Sequence, residues 1–423
     1  MQARIEKLVF GGQGLARLED GRVVFVWNAL PGELVELDII KSKKDHVEAI
    51  ASKILEPSKE RIEPKEGVYL STSPWQICTP QAELRYKQEI AKEIYQRTGG
   101  LTMESDIEMV SGDKDYGYRN KMEFSFVEDE EGNIDLAFFL RGQKKRVAVQ
   151  GSLLAEEVIN EVAQEILQWV RTTEMTTYNL KSLIVRSNGA GKAIAALFIK
   201  DKLTFDDYPD LSENFLGFQL YYSTHKSPAS VPTMTLYTSG VDHLVSCIFE
   251  KQFKFGLHSF FQVNMSVFEQ ALKDMRSHID DKKGLVDFYS GVGAIGIALA
   301  TPGKQTFLVD NNEEAIEFAQ ENIALNKMSG VHAQCVPSED IVELITADRS
   351  IIFDPPRAGL HKRVVHQVLE TLPEKIIYMS CNLSTHARDI ALLNEKYEVL
   401  FLKLYNFFPR TPHVEGLAVL KRR

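Results

Sequence analysis

The sequence predicts an α/β fold: a doubly wound parallel sheet in the C-terminal part, preceded by a small β-barrel and a central α+β domain. Three patterns predict this order. Short strands separated by glycine turns occupy residues 1–57, a strand-rich segment with one long helix covers 101–250, and strands alternate with helices over 251–423. A chain of 423 residues is long enough for two or three such domains.

The composition is that of an ordinary globular protein, with 44% hydrophobic and 26% charged residues. The net charge of −10 argues against a general nucleic-acid binder, although basic islands interrupt the acidic chain at 41–44, 141–146 and the C-terminal KRR. No apolar run reaches the length of a membrane span, and the start MQARIEKLVF lacks the core of a secretory signal. The four scattered cysteines fit a reducing compartment, so we expect a cytoplasmic protein. We also expect a monomer.

Residues 1–57 alternate apolar and polar residues between the turn sequences GGQG, EDG and LPGE. Short strands at this regular spacing predict a small closed barrel of the OB type. The turn FGGQGLAR and the segment VFVWNALPGELVE resemble the TRAM domain, and the resemblance implies that the barrel binds RNA. Residues 58–78 lose this periodicity and predict a linker.

Residues 79–100 predict a helix that packs on the C-terminal domain, with Thr79 as its N-cap and paired glycines at its end. In the central domain the most distinctive strand is YRNKMEFSF, which starts at Tyr118. Arg119 and Lys121 are two residues apart, so they share one face of this strand and both can meet RNA phosphates. An ordinary amphipathic edge strand is the alternative interpretation.

From residue 251 onward the predicted elements alternate: GLVDFYS is a strand, GAIGIALA a helix, QTFLVD a strand and EEAIEFAQENIALNK a helix. Further strands follow in VHAQCV, SIIFDPP and KIIYMS, with a helix in KRVVHQVLETL. This alternation predicts a Rossmann-like sheet with helices on both faces. Ligands of such sheets bind beyond the carboxyl ends of the strands.

A glycine turn in the GxGxxG arrangement, which begins with Gly291 and Gly293, lies between the first strand and helix of this domain. The next strand ends in Asp310, which can accept hydrogen bonds from ribose hydroxyls. Dinucleotides and S-adenosylmethionine both fit this geometry. Asp287 and the sequence DFYSGVG resemble the first motif of class I methyltransferases, which favours S-adenosylmethionine over a dinucleotide. In that class the turn after VHAQCV, which carries Ser338, usually meets adenine.

Two motifs end later strands of the same sheet: FDPPRAGL, with Asp354 and Arg357, and YMSCNLSTHARDI, with Cys381. Methyltransferases of exocyclic amines usually carry an aromatic residue where Arg357 stands, and an arginine favours an anionic neighbour such as phosphate. A thiolate that adds to carbon 6 of uracil makes carbon 5 nucleophilic, and a base must later remove the carbon-5 proton. Cys381 and Glu415 are candidates for these two roles. Taken alone, Cys381 would be interpreted as a packed thiol and Glu415 as a surface charge.

Five segments, FFQVN, DFYSGVG, FDPPRAGL, YMSCNLSTHARDI and FFPRTPHVEG, resemble in this order the RNA uracil-5-methyltransferases. The resemblance implies that Cys381 is the nucleophile, that Glu415 removes the carbon-5 proton and that Asp354 touches the target uracil. It also implies a target base that is flipped out of its RNA stack. The implied cofactor contacts are Gln262, Tyr289, Asp310 and Asp354.

Many members of this family hold an iron–sulfur cluster with three closely spaced cysteines after the barrel and a fourth further on. Here the first region contains only Cys78, and Ser152 stands at the fourth position. Because an ordinary cluster takes four thiolates, we expect no iron–sulfur cluster, and no other metal. Cys78 then becomes a packing residue, and we expect Tyr69 and Trp75 to hold the linker.

The resemblance implies an enzyme that uses S-adenosylmethionine to methylate carbon 5 of a specific uridine in RNA. The barrel favours 23S ribosomal RNA, because members that act on the transfer-RNA T-loop in many bacteria lack it, although some archaeal-type transfer-RNA enzymes keep it. Two alternatives belong to other classes. They are methylation of an exocyclic amine, and a non-catalytic RNA-binding protein that retains the fold.

Overall fold

The N-terminal part of the chain is a six-stranded barrel. The computed structural model describes residues 1–423. The barrel strands are β1 Gln2–Arg4, β2 Lys7–Leu8, β3 Gly14–Arg17, β4 Val23–Trp27, β5 Leu34–Ser42 and β6 His46–Glu56. Their order in the sheet is β1-β5-β6-β4-β3-β2. Alternate residues of β4 and β6 point into an apolar core, which explains the period-two pattern of the sequence.

The linker after the barrel is folded onto its neighbours. It contains the short helix α1 (Tyr69–Thr72) and a 3-10 turn over Pro74–Ile77. The Tyr69 hydroxyl donates to Asn28 Oδ1 at 3.0 Å, and Trp75 Nε1 donates to Gly12 O at 3.0 Å. Both aromatic residues therefore tie the linker to the barrel, as predicted.

Helix α2 (Pro80–Arg97) follows the linker and reaches the C-terminal domain. Thr79 caps it as predicted, because its Oγ1 accepts the Ala82 N–H at 3.3 Å. At the other end the Tyr95 hydroxyl is hydrogen-bonded to His386 Nδ1 at 2.8 Å.

The central domain is a seven-stranded sheet covered by one helix on one face. Its elements are β8 Lys121–Glu128, β9 Ile134–Phe139, β10 Arg146–Ala148, α3 Glu157–Thr172, β11 Leu180–Ser187, β12 Ala193–Ile199, β13 Phe215–Tyr222 and β14 Met234–Gly240. Alternate residues of β12 divide between two cores. Ala195 and Leu197 pack with α3, whereas Ala196 and Phe198 join the core of the C-terminal domain. The central sheet therefore lies directly against the C-terminal domain.

The C-terminal domain is built on an eight-stranded sheet of order β19-β18-β17-β20-β21-β23-β22-β7. Its strands are β7 Met109–Ser111, β17 Gly284–Phe288, β18 Thr306–Asp310, β19 Val331–Cys335, β20 Arg349–Phe353, β21 Lys375–Ser380, β22 Tyr397–Asn406 and β23 Glu415–Arg422. Its helices are α4 Met265–Arg276, α5 Ala294–Leu299, α6 Glu313–Leu325, α7 Lys362–Thr371 and α8 Leu383–Leu393. Strands β17 to β21 are parallel, and β23 runs antiparallel between β21 and β22. The doubly wound α/β prediction is confirmed.

Two details differ from the predicted boundaries. Strand β7 lies in the segment assigned to the central domain, yet it pairs in parallel with β22 at the edge of the C-terminal sheet. A separate hairpin, β15 His243–Ile248 and β16 Lys251–Gly256, runs across the boundary predicted at residue 250. The β7–β22 pairing leaves no local signal, because it joins residues 295 positions apart in the sequence, whereas the hairpin is a local pairing that the predicted boundary divided. None of the helices is both long and apolar enough to cross a lipid bilayer.

Candidate active site

The turn after β17 brings the backbone close to one end of the sheet. Tyr289, Gly291 and Gly293 all have positive φ, at 64°, 53° and 84°. Glycine adopts this region freely, whereas a tyrosine there is strained and is common only at functional turns. A Cβ on Gly291 would meet only Phe260 O at 3.9 Å, so this side of the turn is open to a ligand.

Two carboxylates shape the turn, the buried Asp287 and the partly exposed Asp310. Asp287 Oδ2 accepts the Gly296 N–H at 2.7 Å, which fixes the start of α5 against β17. Asp310 Oδ2 accepts the Gly291 N–H at 2.9 Å, so the carboxylate at the end of β18 lies beside the turn. Asp310 still has lone pairs for ribose hydroxyls. The sequence predicted that the glycine turn and Asp310 face one crevice, and the hydrogen bond between them agrees with this prediction.

The residues around the turn fit S-adenosylmethionine on two observations. Asp287 Oδ1 and Ser290 Oγ are buried beside the turn without a hydrogen-bond partner, and buried polar atoms of this kind usually meet a ligand or water. The turn itself presents open backbone at Gly291. Polar atoms and free backbone at the carboxyl end of β17 are what a nucleoside cofactor requires.

The other predicted cofactor contacts surround the same turn. Gln262 is buried, and its carbonyl accepts the Asn120 Nδ2–H at 2.9 Å. Ser338 is buried in the turn after β19. Burial raises the pKa of Tyr289, while the His361 N–H and the Ser338 hydroxyl oppose this shift. Tyr289 and Ser338 are therefore neighbours, and the contact of Ser338 with adenine stays a prediction.

Sequence reasoning missed Arg186, which shapes the loop before Gln262. Its buried guanidinium donates to Gly256 O at 2.9 Å, to Ser259 O, and to Phe261 O at 3.5 Å. Burial lowers the pKa of Arg186 to about 9. The only signal in the sequence is an arginine within the apolar run SLIVRS of β11.

Cys381 and Glu415 meet where the carboxyl end of β21 lies beside the beginning of β23. Ser380, the last residue of β21, pairs with Gly416 of β23 in antiparallel register, so Cys381 follows directly opposite Glu415. Glu415 is 3% exposed, whereas Cys381 is partly exposed. Asp354 follows the last residue of β20, the next strand along, and its N–H donates to Phe288 O at 3.4 Å. A thiol and two carboxyls therefore lie together beside the glycine turn.

The pKa shifts of these groups reflect their proximity. Burial raises the pKa of Cys381 to about 11, and the charges of Glu415 and Asp354 add to this effect while Arg357 opposes it. Burial raises the pKa of Asp354 to about 7. Burial, followed by the charge of Asp354, raises the pKa of Glu415 well above its usual value. The raised pKa values make both carboxylates stronger bases than exposed ones.

The DPPR loop is held by α8. Asn382 Nδ2 and Thr385 Oγ1 donate to Arg357 O at 2.9 and 3.1 Å. Asp389 Oδ2 accepts the Leu360 N–H at 2.8 Å, which fixes the far end of the loop. The Arg357 side chain remains exposed next to Cys381, in position for an anionic partner.

The prediction that Arg119 and Lys121 belong to one strand is wrong, because β8 begins at Lys121 and Arg119 makes only an isolated bridge to Ala155. Lys121 lies opposite Arg186 in the register of β8 and β11. Burial, followed by the Arg186 charge, lowers the pKa of Lys121 to about 8. Burial, followed by the charges of Arg357, Lys87 and Arg119, lowers the pKa of His413 to about 4. Lys121 therefore lies beside Arg186, and it does not share a strand face with Arg119.

The predicted packing role of Cys78 is confirmed. Its buried thiol donates to Trp75 O at 3.3 Å. Ser152 is buried too, and its Oγ accepts the Leu154 N–H at 3.3 Å. No three histidine, cysteine or acidic side chains are arranged to hold a metal ion.

Comparisons with known proteins agree with this geometry. The profile of the tRNA (uracil-5-)-methyltransferase family matches residues 82–423, and the profile of the TRAM domain matches residues 1–51. An RNA methyltransferase of Aquifex aeolicus is 30% identical over 432 residues, which cover 100% of this chain and 98% of that protein. An RNA methyltransferase of Fusobacterium nucleatum is 26% identical over 451 residues, which cover 100% of this chain and 96% of that protein.

Among solved structures, the tRNA (uracil-54, C5)-methyltransferase of Pyrococcus abyssi, in complex with S-adenosyl-L-homocysteine, has the same fold. The TM-score is 0.80 at 23% identity, and the match covers 99% of this chain and 100% of that chain. The profile match spans most of the sequence and includes every motif of the site. The chain therefore belongs to the tRNA (uracil-5-)-methyltransferase family, and it methylates carbon 5 of uracil in RNA with S-adenosylmethionine as the methyl donor.

Proposed function

We propose that this enzyme methylates one uridine of 23S ribosomal RNA through a covalent bond between Cys381 Sγ and carbon 6 of the base. The observation that carries the chemistry is the cross-strand position of Cys381 and Glu415, with Asp354 beside them. A thiol and a base on one side of a flipped pyrimidine are what methylation at carbon 5 requires.

The residues of this site can carry out each step of the proposed catalytic cycle. S-adenosylmethionine supplies an electrophilic methyl group when it is bound at the glycine turn. Cys381 releases its proton to solvent and its sulfur adds to carbon 6, which moves the ring electrons onto the exocyclic oxygen at carbon 4 as an enolate. Carbon 5 then bonds to the methyl group, and the cofactor sulfur keeps the electron pair of the broken bond. Glu415 removes the carbon-5 proton, the 5,6 double bond re-forms, and Cys381 leaves as a thiolate.

Asp354 and the basic residues have supporting roles in this proposal. With a pKa of about 7, Asp354 can present either a donor or an acceptor to the polar edge of the target uracil. Arg119, Lys121 and Arg357 contact the RNA backbone around the flipped nucleotide. The monomeric state and the cytoplasmic location expected from the sequence remain predictions.

The choice of RNA rests on the barrel, which many bacterial enzymes of the transfer-RNA T-loop lack. A T-loop uridine is the second candidate, since the Pyrococcus abyssi protein of the same fold is named for uracil 54 of tRNA. A nucleoside map of 23S ribosomal RNA and of transfer RNA from a deletion strain separates the two. Loss of 5-methyluridine from a 23S fragment supports the proposal, and loss from transfer RNA alone rejects it in favour of the second candidate.

A protein that only binds RNA remains the alternative from another class. Incubation of the purified enzyme with RNA from the deletion strain and methyl-labelled cofactor tests this. Label in 5-methyluridine supports the proposal. Binding of RNA without any transfer of label rejects it, and label on adenine or guanine assigns the chain to amine methylation.

A further inference from the structure

A buried ionic cluster lies beneath the loop that leads to Glu415. Its members are Glu83 and Lys87 of α2 and Arg410 of the loop 407–414, and each is at most 2% exposed. Lys87 Nζ donates to Glu83 Oε1 at 2.7 Å, and an Arg410 guanidinium nitrogen lies 3.2 Å from Glu83 Oε2. The catalytic steps described above use none of these charges.

Each cation of the cluster also holds the loop itself. Lys87 Nζ donates to Asn406 Oδ1 at 2.6 Å and to Phe408 O at 3.2 Å. The Arg410 N–H donates to both carboxylate oxygens of Glu83, at 2.9 and 3.0 Å. α2 therefore fixes the beginning and the middle of the loop.

The Arg410 backbone is in a strained conformation that the cluster maintains. Its φ of 63° lies in the left-handed region, which a residue with a Cβ rarely adopts. Its N–H is held by Glu83, and its carbonyl accepts the Trp75 N–H at 3.1 Å. Strain of this kind persists only where the surroundings fix the chain, and it is concentrated at functional sites.

A buried ion cluster is a poor way to gain stability. Burial disfavours the charged form of Lys87 and lowers its pKa. Apolar replacements of buried ion pairs are often neutral or stabilising, because removing charges from water is costly. A well-supported role of such groups is to impose one specific geometry on the chain.

The geometry imposed here is that of Glu415. Tyr405 pairs with Glu415 where β22 and β23 meet, so the loop begins and ends beside the proposed base. The Tyr95 hydroxyl of α2 lies against the next residue, since a Cβ on Gly416 would come within 2.3 Å of it. α2 thus contacts the chain on both sides of Glu415.

We infer that Glu83, Lys87 and Arg410 are positioning residues that aim the Glu415 carboxylate at the carbon-5 proton, and so control the final step of the cycle. The inference rests on the proposed function, in which Glu415 acts only after the methyl group has been transferred. A misplaced Glu415 should therefore leave formation of the methylated adduct intact and slow its release. A purely structural role would instead reduce every step together.

The test is a single-turnover assay of the full-length enzyme with methyl-labelled cofactor and RNA from the deletion strain. Label that remains on protein after denaturation measures the adduct, and label on free RNA measures release. In Lys87→Met, Glu83 keeps Arg410 as a partner. We expect the sum of the label on protein and on free RNA to be unchanged, and the release of methylated RNA from the enzyme to be about tenfold slower or more. Tyr118→Phe removes only the hydroxyl that donates to Pro409 O at 3.0 Å, and we expect a smaller shift in the same direction.

Arg171→Met is the matched control, because the hydrogen bonds of Arg171, to Ile134 O and to the Asp135 carboxylate, stay within the central domain. Its ratio of adduct to free product should equal that of the wild type. Glu415→Gln should trap adduct. If Glu415→Gln traps adduct while Lys87→Met and Tyr118→Phe partition like the wild type, the inference is overturned and the proposed function stands. If Glu415→Gln releases product normally, the proposed function itself fails.

Discussion

Cys381 and Glu415 are cross-strand neighbours, because the last residue of β21 pairs with Gly416 in the register of β21 and β23. The two side chains have opposite tasks in the proposed cycle, one to form a bond to the base and the other to allow that bond to break. A fixed antiparallel pairing holds them together, because Cys381 directly follows β21 and Glu415 is the first residue of β23. Asp354, at the end of the next parallel strand, completes the group.

The reactivity of Cys381 should depend on its acidic neighbours. With a pKa of about 11, the free thiol should react with iodoacetamide faster at higher pH, by about tenfold per pH unit below that value. Asp354→Asn removes a nearby negative charge, so it should lower the pKa and speed alkylation at pH 8. Mass spectrometry of the peptide that contains Cys381 measures this rate separately from the exposed Cys247 and Cys335.

The control for this measurement is Asp340→Asn, which changes an exposed carboxylate that pairs with Arg363. It should leave the profile of Cys381 unchanged. An Asp354→Asn profile identical to that of the wild type would show that the two side chains do not interact.

Asp310 should contribute strongly to cofactor binding. Asp310→Asn weakens the hydrogen bonds to ribose hydroxyls and to the Gly291 N–H, because the acceptor loses its charge. Hydrogen bonds to charged groups contribute about 1.5–3 kcal/mol, so S-adenosylhomocysteine should bind about tenfold to a hundredfold more weakly by calorimetry. Asp281→Asn, at an exposed ion pair, should bind as the wild type does. Equal affinity of the two variants would remove Asp310 from the cofactor site.

Gly296 should tolerate no side chain. A Cβ there would lie 2.3 Å from Leu308 Cδ2 and 2.9 Å from Asp287 Oδ2, where α5 packs against the sheet. Gly296→Ala should therefore destabilise the protein by about 1–3 kcal/mol in urea unfolding, as overpacked cores do. Gly67→Ala is the comparison, since a Cβ there meets nothing within 4 Å. A Gly296→Ala midpoint equal to that of Gly67→Ala would mean that α5 is not packed as described.

Local sequence patterns predicted the helices and strands of the C-terminal domain and most of the acidic residues at the carboxyl ends of its parallel strands. This succeeded because the ends of parallel strands meet on one side of a sheet, so Asp310, Asp354 and Cys381 could be grouped from their strands alone. The position of Glu415 is different. It depends on the insertion of the last strand between β21 and β22, which no local pattern of the sequence indicates, and the motif resemblance implied only the role of Glu415.

Long-range contacts account for what sequence reasoning did not find. Glu83 and Arg410 are 327 residues apart, and no periodicity within α2 marks Glu83 as buried. Lys121 and Arg119 looked equivalent by period two, but the strand begins between them. In both cases the deciding partner is distant in the sequence, since Glu83 meets Arg410 and Lys121 meets Arg186.

The central claim is that the sulfur of Cys381 bonds to carbon 6 of the target uridine. RNA that contains 5-fluorouridine tests it most directly, because fluorine cannot leave carbon 5 as a proton does and the adduct stays intact. After incubation with S-adenosylmethionine and digestion, we predict by mass spectrometry that the peptide containing Cys381 carries a methylated 5-fluorouridine nucleotide. A nucleotide attached to any other residue, or normal methylation of uridine by Cys381→Ala, would contradict the claim.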